Sequence, residues 1–244
     1  MRFVCIIEAR MRSSRLPGKV LKPILGKPML ELMVERLRLA RTVDEVVLAT
    51  TDKVDDQPLA DLGQRLNLPV FRGSEDDVLL RVLEAARAHR ADVIVEVTGD
   101  CPLMDPGLID KVVGDFRIGG ADFVSNVRGY TTPRGTDVRV FRTDDLAEIN
   151  RVSSDPADHE HVSLHFWEHP EKYRLRNVPT EFPPAVADLR LTVDTVEDLE
   201  LIAKIFAGLY PKNPAFNLSD ILEFLAAHPE ISTMNQHVKQ KAVR

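Results

Sequence analysis

RFVCIIEARMRSSRLPGKVLKPILGKPMLELMVERLRLA, residues 2–40, is the stretch that decides the fold. Its first part, 2–8, reads as a buried strand. Its last part, 29–40, carries apolar residues at helical spacing, with Pro28 at a first-turn position. The loop between them has no acid from Ala9 to Leu30, yet it holds Arg10, Arg12, Arg15, Lys19, Lys22 and Lys27. The chain as a whole is acidic, with a net charge of -6 over 244 residues. So much local positive charge between a first strand and a first helix calls for an anion.

Outward from this stretch, short apolar runs alternate with helical periodicities. Residues 45–50 read as a second strand, 58–66 as a helix and 69–71 as a short strand. A strong helix is expected over 74–89, with Ser74 as its cap and acids in its first turn. Residues 92–99 form a central strand, 106–117 a helix and 121–125 a further strand. This order implies an α/β fold with a mostly parallel sheet and helices on both faces. Right-handed crossovers then put the strand C-termini on one edge, where ligands bind. The pattern changes near residue 126. A turn-rich stretch enters a strand, helices follow at about 144–151 and 156–168, and a strand spans 173–178. The block from about 126 to 185 reads as a small accessory lobe within one domain of residues 1–244. Residues 189–195 return to a buried strand, 196–210 form a long helix, and 218–228 the last one, with Ser219 as its cap.

Composition narrows the class. The hydrophobic fraction of 44% and charged fraction of 29% are those of an ordinary globular chain. No apolar run approaches the ~18 residues of a membrane helix. The N-terminus lacks a signal-peptide pattern, so a cytoplasmic protein without membrane attachment is expected. The two cysteines, Cys5 and Cys101, have neither disulfide-scaffold nor zinc-site spacing. Net acidity with one local basic cluster argues for a small anion and against nucleic acid.

A loop that leaves a strand and enters a helix is where an α/β sheet binds phosphate. Here Gly18 permits close approach, Ser13 and Ser14 add hydroxyls, and the arginines and lysines supply charge for a ligand such as a triphosphate. Neither G-x-x-x-x-G-K-[ST] nor G-x-G-x-x-G is present. A merely solvated basic loop is the bland alternative. The position after the first strand, with no balancing acid, weighs against it.

The run ARMRSSRLPGKVLKPILGKPML (9–30) resembles the nucleotide-binding signature of the sugar cytidylyltransferases, which activate sialic acid and Kdo with CTP. It is most similar to the branch called spore coat polysaccharide biosynthesis protein F, and the resemblance runs from residue 2 to about 210. It implies a Rossmann-like, GT-A-type nucleotide-binding sheet. It also implies that Arg10, Ser13, Arg15 and Lys19 hold the triphosphate beside Ala9, with Lys22 and Lys27 as supporting charge. Nucleotidyl transfer attacks the α-phosphorus, expels pyrophosphate and uses Mg²⁺, which prefers one or two carboxylates plus water and phosphate. Asp100 and Asp194 stand at expected strand ends. Each could instead be a cap or turn residue, but the family's metal carboxylates match these two. Arg10, Lys19 and Asp100 are thus the expected catalytic groups.

Other roles follow the resemblance. The segment 71–81 implies base contacts from Arg72 and Ser74, with capping an equal alternative for Ser74. Thr98 and Gly99 would run beside the ribose, Gly99 leaving room. HEHV (159–162) matches a motif usually written R-E-H-V, and TPRGTDVRVF (132–141) one written P-x-G-x-D-V-E-V-F. Together they imply an acceptor pocket of Arg134, Asp137, Glu160 and His161, with Asn126 as a further contact. His159 stands where Arg is frequent and Arg139 where an acid is common, which suggests an unusual acceptor. His161, His165 and His169 would share one helical face, yet H-E-x-x-H is absent and the cysteines are distant. HFWEH and VRVF would expose apolar groups unless covered. The resemblance implies a homodimer through this lobe, with an ordinary core for Phe166 and Trp167 as the alternative. The leading reading is a CTP-dependent cytidylyltransferase for a sugar acid or similar small acceptor in surface polysaccharide biosynthesis. A glycosyltransferase of related fold would usually carry D-x-D, which GDCP lacks. A non-catalytic nucleotide-binding protein is the third reading.

Overall fold

A computed structural model describes residues 1–127, 132–179 and 182–240 of the chain. The N-terminal apolar run forms β1 (Phe3–Glu8), and the basic loop runs into a short hairpin, β2 (Pro23–Ile24) and β3 (Lys27–Pro28). Then come α1 (Met29–Leu37), β4 (Glu45–Thr51), α2 (Gln57–Arg65), β5 (Val70–Gly73), α3 (Val78–Ala88), β6 (Val93–Thr98) and α4 (Pro106–Ile118). The chain continues through β7 (Phe123–Ser125), β8 (Arg139–Arg142), α5 (Thr143–Val152), α6 (Pro156–Glu160), α7 (Leu164–Glu168) and β9 (Leu175–Asn177). It ends with α8 (Val196–Leu209), α9 (Leu218–Ala227) and α10 (Pro229–Ser232).

Seven strands make one sheet in the order β5-β4-β1-β6-β8-β7-β9. Only β8 runs against its neighbours; the other pairs are parallel. The central strands are buried on both faces, which is why β1 reads as an unbroken apolar run. Alternation sends Phe3, Cys5 and Ile7 into a core with α1, α4, α8 and α9, and Val4 and Ile6 into a second core with α3 and α5. Both cysteines are buried free thiols.

Four local expectations change. The stretch expected as an accessory lobe is woven into the sheet: it supplies β8 and β9, and α5 and α6 lie against α3. The single helix expected over 156–168 is two short ones. Asp155 caps α6 through Ala157 N–H, and the chain turns at His161 before α7 begins. The caps are Asp77 and Asn217 in place of Ser74 and Ser219. Asp77 Oδ1 accepts from Leu80 N at 2.8 Å, and Asn217 and Asp220 form a reciprocal capping box. Finally, residues 189–195 are extended but join no ladder. Leu191 N donates to Arg134 O at 2.7 Å and Val193 N to Asp100 O at 2.8 Å, with one isolated bridge between Arg134 and Arg190.

The apolar residues that seemed to need a partner are covered by this chain. Val140, Phe141 and Phe166 are fully buried. Phe166 packs on Phe141 at 5.0 Å and Tyr173 at 4.8 Å between ring centroids, and Trp167 meets Phe123 edge-on at 5.0 Å.

Gly135 makes the seat of residues 189–193 possible. Its φ is +99°, and a Cβ there would lie 2.5 Å from Leu191 C and Thr192 N. Gly135→Ala is expected to cost about 3 kcal/mol or more, from positive-φ strain plus a backbone clash. That corresponds to a fall in Tm of roughly 6–12 °C. A thermal melt within about 2 °C of the parent would show that the segment yields easily.

Candidate functional site

The basic loop folds back on itself. Gly18, at φ +67°, donates its N–H to Met11 O at 2.9 Å, and a 3₁₀ turn over Lys19–Leu21 points Lys19 inward. Lys19 is 9% exposed. Its Nζ donates to Asp100 Oδ2 at 3.0 Å, Asp194 Oδ1 at 2.8 Å and Val193 O at 2.7 Å. The expected metal carboxylates thus sit on one edge of the sheet, within one hydrogen bond of the same nitrogen.

Each carboxylate is positioned by its own surroundings. Asp100 follows the end of β6, and its Oδ1 accepts from Thr98 Oγ1 at 2.6 Å. Asp194 Oδ2 pairs with Arg15 at 2.8 Å and Arg190 at 2.6 Å. Arg190 is held in turn by the fully buried Asp198, which also accepts from Asn235 and from the backbone N–H groups of Asp194 and Thr195. Burial works to raise the Asp194 pKa, but Lys19 and Arg15 hold it below the usual carboxylate range. Burial likewise disfavours charge on Lys19, and the two aspartates outweigh it and push its pKa up.

Beside this cluster opens a cavity of about 600 Å³. Ala9, Arg10, Ser13 and Lys19 line it from the loop, and Thr98, Gly99 and Asp100 from the end of β6. Glu160 and His161 line it from α6, and Arg10 pairs with Glu160 at 2.9 Å. A Cβ on Gly99 would come within 2.7 Å of Ala9 Cβ, so the space this glycine leaves is filled by β1's own end.

Other expected residues lie elsewhere. Arg72 spends its guanidinium on Thr51 O, Lys53 O and Gln57 Oε1 at the end of β4, and Ser74 Oγ accepts from Asp77 N. Neither lines the cavity. Asn126 is fully buried, its amide bonded to Thr132, Thr136 O and Val138 N. Arg134 and Asp137 are outside the lining; the Arg134 backbone seats residues 189–191, and Asp137 pairs with Arg139 at 3.3 Å.

Three charged cavity residues escaped sequence reasoning: Glu8, Glu96 and Arg81. The available signal was an acid inside the otherwise apolar run VIVEV, which a buried strand tolerates only with a partner.

The rings of His165 and His169 lie 4.1 Å apart between centroids, but His159, His165 and His169 are each bonded to a different acid. His159 bonds Asp77 at 2.8 Å, His165 bonds Asp158 at 2.8 Å, and His169 bonds Glu171 at 3.1 Å. Among the described residues no three His, Cys, Asp or Glu side chains are grouped to hold an ion. Asp100 and Asp194 make a pair of hard oxygen donors, the set Mg²⁺ completes with water and phosphate. The residues present therefore fit a hard divalent ion.

The Asp77 hydrogen bond raises the His159 pKa. A raised folded-state value means the stabilisation is complete below the unfolded pKa of about 6.5 and is lost as pH rises through the folded value. The Tm difference between the parent and His159→Gln should accordingly be larger at about pH 5.5 than at about pH 8.5. A difference independent of pH would show the imidazole uncharged throughout.

Comparison with known proteins finds related sequences and folds. The sequence profile of the cytidylyltransferase family matches residues 4–236. The spore coat polysaccharide biosynthesis protein SpsF of Bacillus subtilis is 33% identical over 235 residues, 93% of this chain and 95% of that protein. A cytidylyltransferase structure from Leptospira borgpetersenii superposes with a TM-score of 0.91 at 31% identity, covering 99% of this chain and 100% of that one. The structure of CMP:2-keto-3-deoxy-manno-octonic acid synthetase complexed with CTP shares the fold, with a TM-score of 0.63 at 22% identity over 85% of this chain and 99% of that one.

Proposed function

The chain belongs to the cytidylyltransferase family, and on that footing we propose that it transfers CMP from CTP to a hydroxyl of a sugar acid or similar small acceptor, releasing pyrophosphate. The observation that carries this is Lys19 Nζ joining Asp100 and Asp194 at the wall of a cavity lined by the basic loop. Arg10, Ser13, Arg15 and Lys19 bind the triphosphate. Lys19, buried, and Arg15, exposed, are held in orientation by the carboxylates. With substrate they turn to phosphate oxygens, so charge stabilisation needs little rearrangement in the transition state. The acceptor hydroxyl is held in line with the α-phosphorus, and positioning supplies much of the rate. Asp100 and Asp194 would hold Mg²⁺, which neutralises phosphate charge when bound. The base is read by residues other than Arg72, which lies outside the cavity lining and is tied to Thr51 O, Lys53 O and Gln57 Oε1.

The product feeds surface polysaccharide assembly in the cytoplasm. Among the described residues no helix is long and apolar enough to cross a membrane. A homodimer rests on the family resemblance, because Val140, Phe141 and Phe166, among the groups first suspected of contact, are internal.

The test crosses the four nucleoside triphosphates, each with Mg²⁺, against a panel of sugar acids and related acceptors, and reads pyrophosphate release. Only CTP should support turnover. Saturating CTP with Mg²⁺, at about 100 times Kd, should stabilise the fold by about 2.7 kcal/mol. No change in Tm under those conditions rejects the reading.

A further inference from the structure

The cavity continues past the phosphate-binding loop into a recess built from strand ends. In β1 the row Val4, Ile6 feeds the core beneath α3, and Glu8 is next in that row. In β6 the row is Ile94 then Glu96, and in β8 it is Phe141 then Arg139, with Glu96 and Arg139 directly opposed in register. Three neighbouring strands therefore change from apolar to charged at the same level. Val78 and Arg81 of α3, and Val162, Ser163 and Trp167 of the α6–α7 region, wall the space.

The hydrogen-bonding capacity left over in the recess is specific. Arg139 is shared between Asp137 at 3.3 Å and Glu96 at 3.7 Å. Arg81 donates through NH1 to Ser74 O. Of the buried side-chain atoms without a hydrogen-bond partner among the described residues, two belong to this recess: Glu96 Oε2, on a residue 3% exposed, and Arg81 Nε, on a residue 2% exposed. One is an acceptor and the other a donor. A carboxylate entering here would meet Glu8 and Glu96, and an ammonium would meet the guanidinium groups of Arg81 and Arg139. A hydroxyl can donate to Glu96 and accept from Arg81. Burial, reinforced by the Glu96 charge, pushes the Glu8 carboxyl up to about 8, so the recess already resists further negative charge.

We propose that this recess binds the end of the acceptor remote from the attacking oxygen, and that this end is a neutral polyol carrying no carboxylate, phosphate or ammonium group. The inference rests on the cytidylyltransferase reading for its place in the reaction. It adds Glu96, Glu8 and Arg81 as specificity-determining residues.

Trp167 lines the recess and is the sole tryptophan of the chain, so its emission reports occupancy directly. Three symmetrical six-carbon probes remove any question of which end enters: mannitol, mannaric acid and 1,6-diamino-1,6-dideoxymannitol. Each is titrated into the full chain, with and without CTP and Mg²⁺. Mannitol should bind at least about tenfold more tightly than either charged probe. In Glu96→Gln its advantage over the diacid should shrink to about threefold or less. Should Glu96→Gln fail to fold, Glu8→Gln is expected to narrow the same ratio. A charged probe that binds as tightly as mannitol overturns the proposal. So does a mannitol titration to about 100 mM that leaves Trp167 emission unchanged, or a ratio unmoved in the folded variants. A missing CTP-induced Tm shift with the mannitol preference intact would remove the nucleotide reading and keep the recess. A CTP shift without the preference would do the reverse.

Discussion

Lys19→Met should lower kcat/KM for CTP by about 10²–10³-fold, the range seen when one preorganised donor to a developing negative charge is removed. The same change should cost the substrate-free chain about 3–5 kcal/mol, or roughly 6–20 °C in Tm, because Asp100 and Asp194 lose the cation they share in a largely buried setting. The two losses have one origin, and that gives a sharper test than activity alone. If the ammonium occupies the position that suits a hard divalent ion, Mg²⁺ without nucleotide should raise the Tm of Lys19→Met more than that of the parent. Methionine fills a volume close to that of the lysine stem and brings no new charge, so packing around Val20 and Leu16 is disturbed little. Equal Mg²⁺ responses in the two proteins would mean that the carboxylates do not share an ion, and the assignment of Asp100 and Asp194 would fail.

How much of this was legible in the sequence depends on how local each signal is. The strand, basic loop and helix of residues 2–40 specify themselves through neighbours a few positions away, and a mostly parallel sheet follows from the alternation of such units. Lys19, Asp100 and Asp194 could be selected because each ends a loop or an apolar run. Asp194 was found for a partly mistaken reason. The alternation over 189–193 resembles a strand, but its backbone bonds go to Arg134 and Asp100, the latter more than 90 residues away, and no ladder forms. Arg72 illustrates the opposite error. The resemblance implies a base contact, yet in the structure its guanidinium bonds Thr51 O, Lys53 O and Gln57 Oε1 and lies outside the cavity lining. Asn126, a further acceptor contact by the resemblance, proves to be a buried tie between backbone segments. Glu8 and Glu96 were hidden because each looks like the polar end or interruption of an apolar run. Only the register of β1, β6 and β8 sets them beside Arg139.

Asp198 is the clearest residue whose importance only the folded chain reveals. From sequence it is a first-turn acid of α8, favoured by the helix dipole, and it does make the capping box with Thr195. In the structure it is 0% exposed and accepts from Arg190, Asn235 and two backbone N–H groups. Through Arg190 it also settles where Asp194 stands, although it touches nothing in the cavity. Asp198→Ala should therefore cost about 3–5 kcal/mol, since Arg190 would be left buried with half of its compensating charge. An activity loss in that variant would by itself be uninformative, because a destabilised chain loses activity for many reasons. Asp198→Asn separates the effects. The amide oxygen can still accept from Asp194 N and Thr195 N, so the turn is kept, but Arg190 then leans on Asp194 alone and competes with the cations of the site. The expected result for Asp198→Asn is a folded protein whose Mg²⁺ requirement for CTP-dependent stabilisation shifts upward by about tenfold, with a smaller change in Tm than Asp198→Ala. An unchanged Mg²⁺ requirement would confine Asp198 to holding the helix start, and Asp194 would need another explanation for its placement.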